Sequence, residues 1–171
     1  MRAYNRPVLG PLLVEAFRYN KWANLHLLSV CSGLPAKQLE LTSAGTYGSI
    51  AKTFHHLLGA EQRYIRRLTG TEPRVSEKDD FPGLAVLTRE AETSGDRLIE
   101  LASTVKADDE IDEARRSPYA RLPAGIVLVQ AMHHGNDHRT HICTVLGSQG
   151  IDYGDMDVWA YGLAIGASDR C

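Results

Sequence analysis

The sequence predicts an all-α protein: a four-helix bundle with a short C-terminal helix. Two observations predict it. Four long segments repeat apolar residues at spacings of three and four, and Gly, Pro or Ser punctuates each of them. A third observation is size. At 171 residues, 43% hydrophobic and 23% charged, the chain suits one domain over residues 1–171. A chain of this length buries roughly two-thirds of its unfolded surface, so disulfides or metals are not needed merely to fold it. Four amphipathic segments of bundle length bury their stripes against one another. The lengths of the connections leave the topology open.

The first segment runs from about Leu12 to Ser32, with Leu13, Ala16, Asn20, Ala23, Leu27 and Val30 on one stripe; Gly33 and Pro35 stop it. A polar stretch, Thr42 to Gly48, leads to Ser49, which suits an N-cap. The second segment then carries Ile50, Phe54, Leu57, Glu61, Tyr64, Ile65 and Leu68 and ends at Gly70. A loop rich in charge and Pro (Thr71 to Pro82) precedes the third, where Leu84, Leu87, Ala91, Leu98, Leu101 and Val105 keep a helical period and Ser94 fills the remaining slot. Residues Lys106 to Leu122 are charged and irregular, with room for a short strand or two. The fourth segment opens at Pro123, a residue suited to a first helical turn, and runs to about Gly147. A tail helix, Asp155 to Leu163, carries Trp159 and Tyr161.

Composition excludes several classes of function. Lys and Arg number 19 against 21 Asp and Glu, a net charge of −2, so neither nucleic acid nor anionic lipid is an expected partner. Arg63, Arg66 and Arg67 form one small basic patch, read as a solvated face. No apolar run approaches a bilayer span, and the N-terminus lacks the apolar core of a signal peptide. Cys31, Cys143 and Cys171 are too widely spaced for a CxxC site or a disulfide framework. The glycines near Gly45 and Gly48 lack the spacing and the Lys of a phosphate loop. The expectation is a soluble cytoplasmic protein.

Histidine is the unusual component. Of the seven, His55 and His56 form one cluster, His133, His134, His138 and His141 a second, and His26 stands apart. On a helical projection of the fourth segment, His134, His138 and His141 all fall within about 40° of the centre of the apolar stripe marked by Val127 and Val145. His133 and Asp137 lie off it. Burying several imidazoles together is costly unless each finds a partner. A divalent metal meets that need by accepting neutral imidazole lone pairs, and His134 and His138, one turn apart, project as two ligands of one ion must. An HxxxH pattern alone more often marks solvated or hydrogen-bonded histidines; the inward placement is what raises it above that. Gly135 stands where an HExxH protease carries Glu, which argues against that chemistry. A third ligand would come from the other cluster. Neither His55 nor His56 centres on the second segment's stripe, and the small neighbours Thr53 and Ala60 only lean the choice to His56.

Three stretches stand out as motifs: Tyr19-Asn20-Lys21-Trp22-Ala23-Asn24; Gly48-Ser49-Ile50 followed by His56-Leu57-Leu58-Gly59-Ala60-Glu61; and His134-Gly135-Asn136-Asp137-His138-Arg139. They resemble, in that order, the YNxWAN, GSI…HLxxxE and HxxxHR of the DinB/YfiT-like family of four-helix-bundle metalloproteins. Asp155 and Trp159-Ala160-Tyr161 fit its tail, and order and spacing agree over nearly the whole chain. The resemblance implies an up-up-down-down bundle, a divalent metal held by His56, His134 and His138, and a homodimer. It implies zinc or nickel first, with iron or manganese as the other candidates. The family includes thiol-dependent transferases and isomerases, proteins classed as hydrolases, and members of unknown activity. This chain departs from it after HxxxHR, where Thr140-His141 replace a small residue and Gln.

Three neutral histidines with an open position make a catalytic rather than a structural site, able to acidify a water for attack on an ester or amide, or to hold a thiol as thiolate. The expected function is a metal-dependent hydrolase or low-molecular-weight-thiol transferase acting on a small molecule. The alternative is a non-catalytic dimeric metalloprotein or stress-related binding module. A DNA-associated regulator is disfavoured by charge. Glu61, inward on its stripe, and His141 are the candidate catalytic groups; Glu61 has an ion pair with Arg139, and His141 a tolerated core position, as competing roles. Asp137 reads as solvated, Tyr19 and Trp22 as packing, and no cysteine as a nucleophile.

Overall fold

The computed structural model describes residues 10–112 and 121–167. Helix α1 (Gly10–Ser32) is followed by one turn, α2 (Ala36–Leu39), that the periodicity did not predict. Helix α3 (Ile50–Thr69) starts as expected at Ser49, whose side chain accepts from the Lys52 N–H, and ends at Gly70, where φ is 78°. Only glycine enters that left-handed region without strain, and it lets the Gly70 N–H reach the Arg66 carbonyl. Helix α4 (Leu84–Thr104) leads to an antiparallel pair, β1 (Glu110–Asp112) with β2 (Arg121–Pro123), in which Ile111 faces Leu122. Helix α5 (Ala124–Ser148) begins directly after Pro123, and α6 (Val158–Ala164) is capped by Asp157, which accepts from Ala160 N–H.

Two apolar layers show how the helices run. One joins Leu27, Leu28 and Cys31 of α1 with Ile50, Phe54 and Leu57 of α3, Leu87 and Ala91 of α4, and Ile142 and Leu146 of α5. The other joins Phe17, Ile65, Leu98, Leu101 and Leu128. The late part of α1 therefore meets the early parts of α3 and α4 and the late part of α5. The helices run up-down-down-up, which corrects the up-up-down-down order implied by resemblance. The loop from α3 to α4 is the cause: it returns along the bundle before α4 begins. Extended, residues 70–83 reach about 45 Å, against about 30 Å for a helix of the 20 residues in α3. Gln62 pins this return, its Oε1 accepting from Arg74 N–H at 2.6 Å and Val75 N–H at 3.0 Å, and Val75 is buried in the first apolar layer.

A polar layer lies between the two apolar ones. Glu61, 1% exposed, accepts from Asn20 Nδ2 at 2.7 Å, Asn24 Nδ2 at 2.9 Å and Ser94 Oγ at 2.8 Å. Arg139, 3% exposed, donates to Asn20 Oδ1 at 2.6 Å, Asn24 Oδ1 at 2.7 Å and to Asn136 Oδ1. The acid and the base are thus joined through two asparagines, each serving both. Burial pushes the Glu61 carboxyl up, against the pull of its amide and hydroxyl donors and of Arg139; burial likewise pulls Arg139 down. Gly135 makes room for the layer, since a Cβ there would lie 2.5 Å from Asn20 Oδ1.

Replacing Glu61 by Ala strands a buried guanidinium and three donors. Such a loss costs about 3–5 kcal/mol, read as a lower urea midpoint. A change below about 1 kcal/mol would show that the layer does not hold the bundle together.

Candidate metal centre

Helix α5 packs against α3 and brings His134 and His138, one turn apart, onto His56. One ligand atom from each of the three lies within 4.8 Å of the others. The rings are 4.9 Å apart for His56 and His134, 4.6 Å for His56 and His138, and 4.3 Å for His134 and His138. The Nε2 atoms of His56 and His134 are 3.0 Å apart. Ligands about 2.0–2.1 Å from a tetrahedral zinc stand about 3.3 Å from one another, close to the 3.0 Å between these two nitrogens and inside the 4.8 Å that bounds the cluster.

The electrostatics favour the same state. Burial, then the neighbouring imidazoles His138 and His56, pull His134 down to about 3; burial, then His56 and His141, pull His138 down to about 4. Both rings are neutral at pH 7, the form that binds metal. Their Nδ1 atoms are buried without a hydrogen-bond partner. The donor set, two neutral imidazoles crowded onto a third with nitrogen facing nitrogen, fits a divalent cation.

His56 is held from behind. Its Nδ1 lies 2.7 Å from Glu77 Oε2, the Tyr47 hydroxyl donates to the same oxygen at 3.1 Å, and Arg63 reaches Glu77 Oε1 at 2.9 Å. Burial pushes the Glu77 carboxyl up, but the hydrogen bonds from His56 and Arg63 outweigh it and bring the group down to about 2. The Tyr47 ring stacks on His56 at 4.1 Å and meets His138 edge-on at 5.0 Å, while Tyr64 meets His134 edge-on at 5.7 Å.

The remaining candidates are placed elsewhere. His55 is 7% exposed, packs edge-on against Phe81 and lies outside the cluster, which includes His56. His141 lies beside it, 5.3 Å from the His138 ring, with a buried and unpartnered Nδ1. Glu61 belongs to the polar layer. His133 and Asp137 are exposed. Tyr19 donates to the Met156 carbonyl at 2.8 Å and, with Trp22, packs against Tyr161, so these aromatics fasten the tail to α1. His26 joins the same seam through the Tyr153 carbonyl at 2.8 Å. Sequence reasoning missed Tyr47 and Glu77. Both sit in loops, where no period marks an inward residue, and Glu77 is one of several acids in its segment.

A helical bundle whose facing helices bring three imidazoles together, two of them held neutral by burial, belongs to the metal-competent class. A family model, described as DinB family, matches residues 5–164. The chain belongs to the DinB family, and the three-histidine cluster fits a metal-binding member of it. No curated protein is similar enough in sequence to count as a match. Among the described residues, no helix is long and apolar enough to cross a membrane.

The two described thiols are held protonated. Burial, then Cys143, pushes Cys31 up to about 12, and burial pushes Cys143 up to about 11. The expected outcome is that iodoacetamide at pH 7.5 alkylates neither in the native protein and both after denaturation, read by site-resolved mass spectrometry. Rapid native labelling of Cys31 would contradict this. Cys171 lies outside the described residues.

Proposed function

We propose that this protein is a divalent-metal-dependent enzyme of the hydrolase or low-molecular-weight-thiol transferase type, with His56, His134 and His138 as ligands. The observation that carries the reading is the convergence of the three ligand atoms within 4.8 Å. Zinc or nickel suits three imidazole donors best, with iron or manganese next. When bound, such an ion supplies a Lewis acid at which water or a thiol loses its proton near neutral pH.

The chain's own residues supply the rest. His134 and His138 stay neutral because burial denies them protons, which keeps their lone pairs available at physiological pH. His141, next to His138 and outside the ligand set, is the nearest additional imidazole and serves as proton acceptor. Glu61 has its carboxylate engaged by Asn20, Asn24 and Ser94, so its part is structural: through the two asparagines it anchors Arg139, the residue after His138. A metal that only ties α3 to α5 is the second reading, and the Tyr47 ring lying against both His56 and His138 favours it by covering one side of the cluster. Turnover of thiol or ester substrates by the loaded protein separates the two.

Metal content per chain tests the ligand set. Protein purified without chelator carries close to one ion, retained in His55→Ala and lost in His56→Ala and His138→Ala. Chelation lowers the thermal midpoint of the wild type, because an ion present at 100 times its Kd adds about 2.7 kcal/mol to the folded state. Wild-type protein that neither carries nor takes up metal would overturn the reading.

A further inference from the structure

We propose that Glu77 is a positioning residue of the metal site: accepting the Nδ1–H of His56, it holds that ring in the tautomer whose bare Nε2 faces His134 and His138. The inference rests on the metal reading above and assigns a role to a residue outside the ligand set.

The hydrogen-bond accounting around the carboxylate supports it. Oε1 takes Arg63 and Oε2 takes the Tyr47 hydroxyl, so Glu77 meets two donors and is an acceptor at both oxygens. At 2.7 Å the His56 Nδ1 that shares Oε2 must therefore be the donor, and in the neutral, metal-binding form of the ring this leaves Nε2 as the lone pair. That lone pair is the atom 3.0 Å from His134 Nε2. The ring's orientation is fixed as well as its tautomer, because Tyr47 stacks on it at 4.1 Å while donating to the same oxygen. Glu77 itself is presented by a fixed loop: Gln62 holds the backbone of Arg74 and Val75, and Val75 is buried in the first apolar layer. His134 and His138 lack such support, since their Nδ1 atoms have no partner. His56 is thus the ligand that the protein pre-aligns.

A carboxylate behind a metal-binding histidine fixes its tautomer and raises its basicity, and removing one typically weakens metal binding 10–100-fold. The test uses metal-free 15N-labelled protein and zinc as the probe. Long-range 1H–15N spectra of the wild type show His56 protonated at Nδ1, and in Glu77→Ala that preference is lost. Zinc affinity, measured by competition with a chromophoric chelator, falls about 10–100-fold in Glu77→Ala, and Glu77→Gln, which retains an acceptor oxygen, recovers part of it. Unchanged helical circular dichroism confirms that the variants fold. Either of two results would overturn the inference alone: an Nε2–H tautomer of His56 in the wild type, which needs no variant, or Glu77→Ala binding zinc as tightly as the wild type. Failure of the wild type to bind zinc at all would instead overturn the metal reading, and the role of Glu77 with it.

Discussion

The hydrogen-bonded layer of Glu61, Asn20, Asn24 and Arg139 is the constraint on which the rest of the structure depends. It draws one or more side chains from α1, α3 and α5, with Ser94 adding α4, and it lies between two apolar layers that would otherwise tolerate sliding. Apolar burial is proportional to area and nearly indifferent to register. A buried acid and base bridged by two amides are not indifferent: a shift of one turn leaves each unsatisfied. Such networks act more as specifiers of a single arrangement than as sources of net stability, because desolvation of both charges offsets much of their attraction. Here the specified arrangement matters for chemistry, since Arg139 directly follows His138 and Glu61 follows His56 by five residues.

The histidine cluster inherits its geometry from that register. Helices α3 and α5 run antiparallel and set His56 opposite His134 and His138, while two loops complete the surroundings: Tyr47 from the segment before α3 and Glu77 from the long return after it. The return loop thus does two things. It makes α4 run parallel to α3, and it carries a carboxylate back along the bundle to the early part of α3 where His56 lies. Pinning by Gln62 and burial of Val75 make it a strap and not a slack connection.

Much of this was legible in the residues. The 3.6-residue period and the caps Ser49 and Gly70 marked the helices, because amphipathicity and cap chemistry are local. The inward placement of His134 and His138 followed from the same period. His56 over His55 was only a leaning from periodicity, since both lie off the stripe; the family motif favoured His56, and the cluster then includes it while His55 packs on Phe81. Glu61 stood on an apolar stripe, which exposed it as special without revealing how it pairs: an ion pair with Arg139 was the structural alternative, and two asparagines mediate it. The helix directions were not legible, since they depend on where a loop without periodicity travels. Tyr47 and Glu77 were missed for the same reason.

X-ray absorption on the zinc-loaded protein tests the central claim most directly. The account predicts about three imidazole nitrogen scatterers at about 2.0–2.1 Å, and one fewer in His56→Ala protein reloaded at high zinc. A first shell of sulfur at about 2.3 Å, or one that is unchanged in that variant, would contradict it.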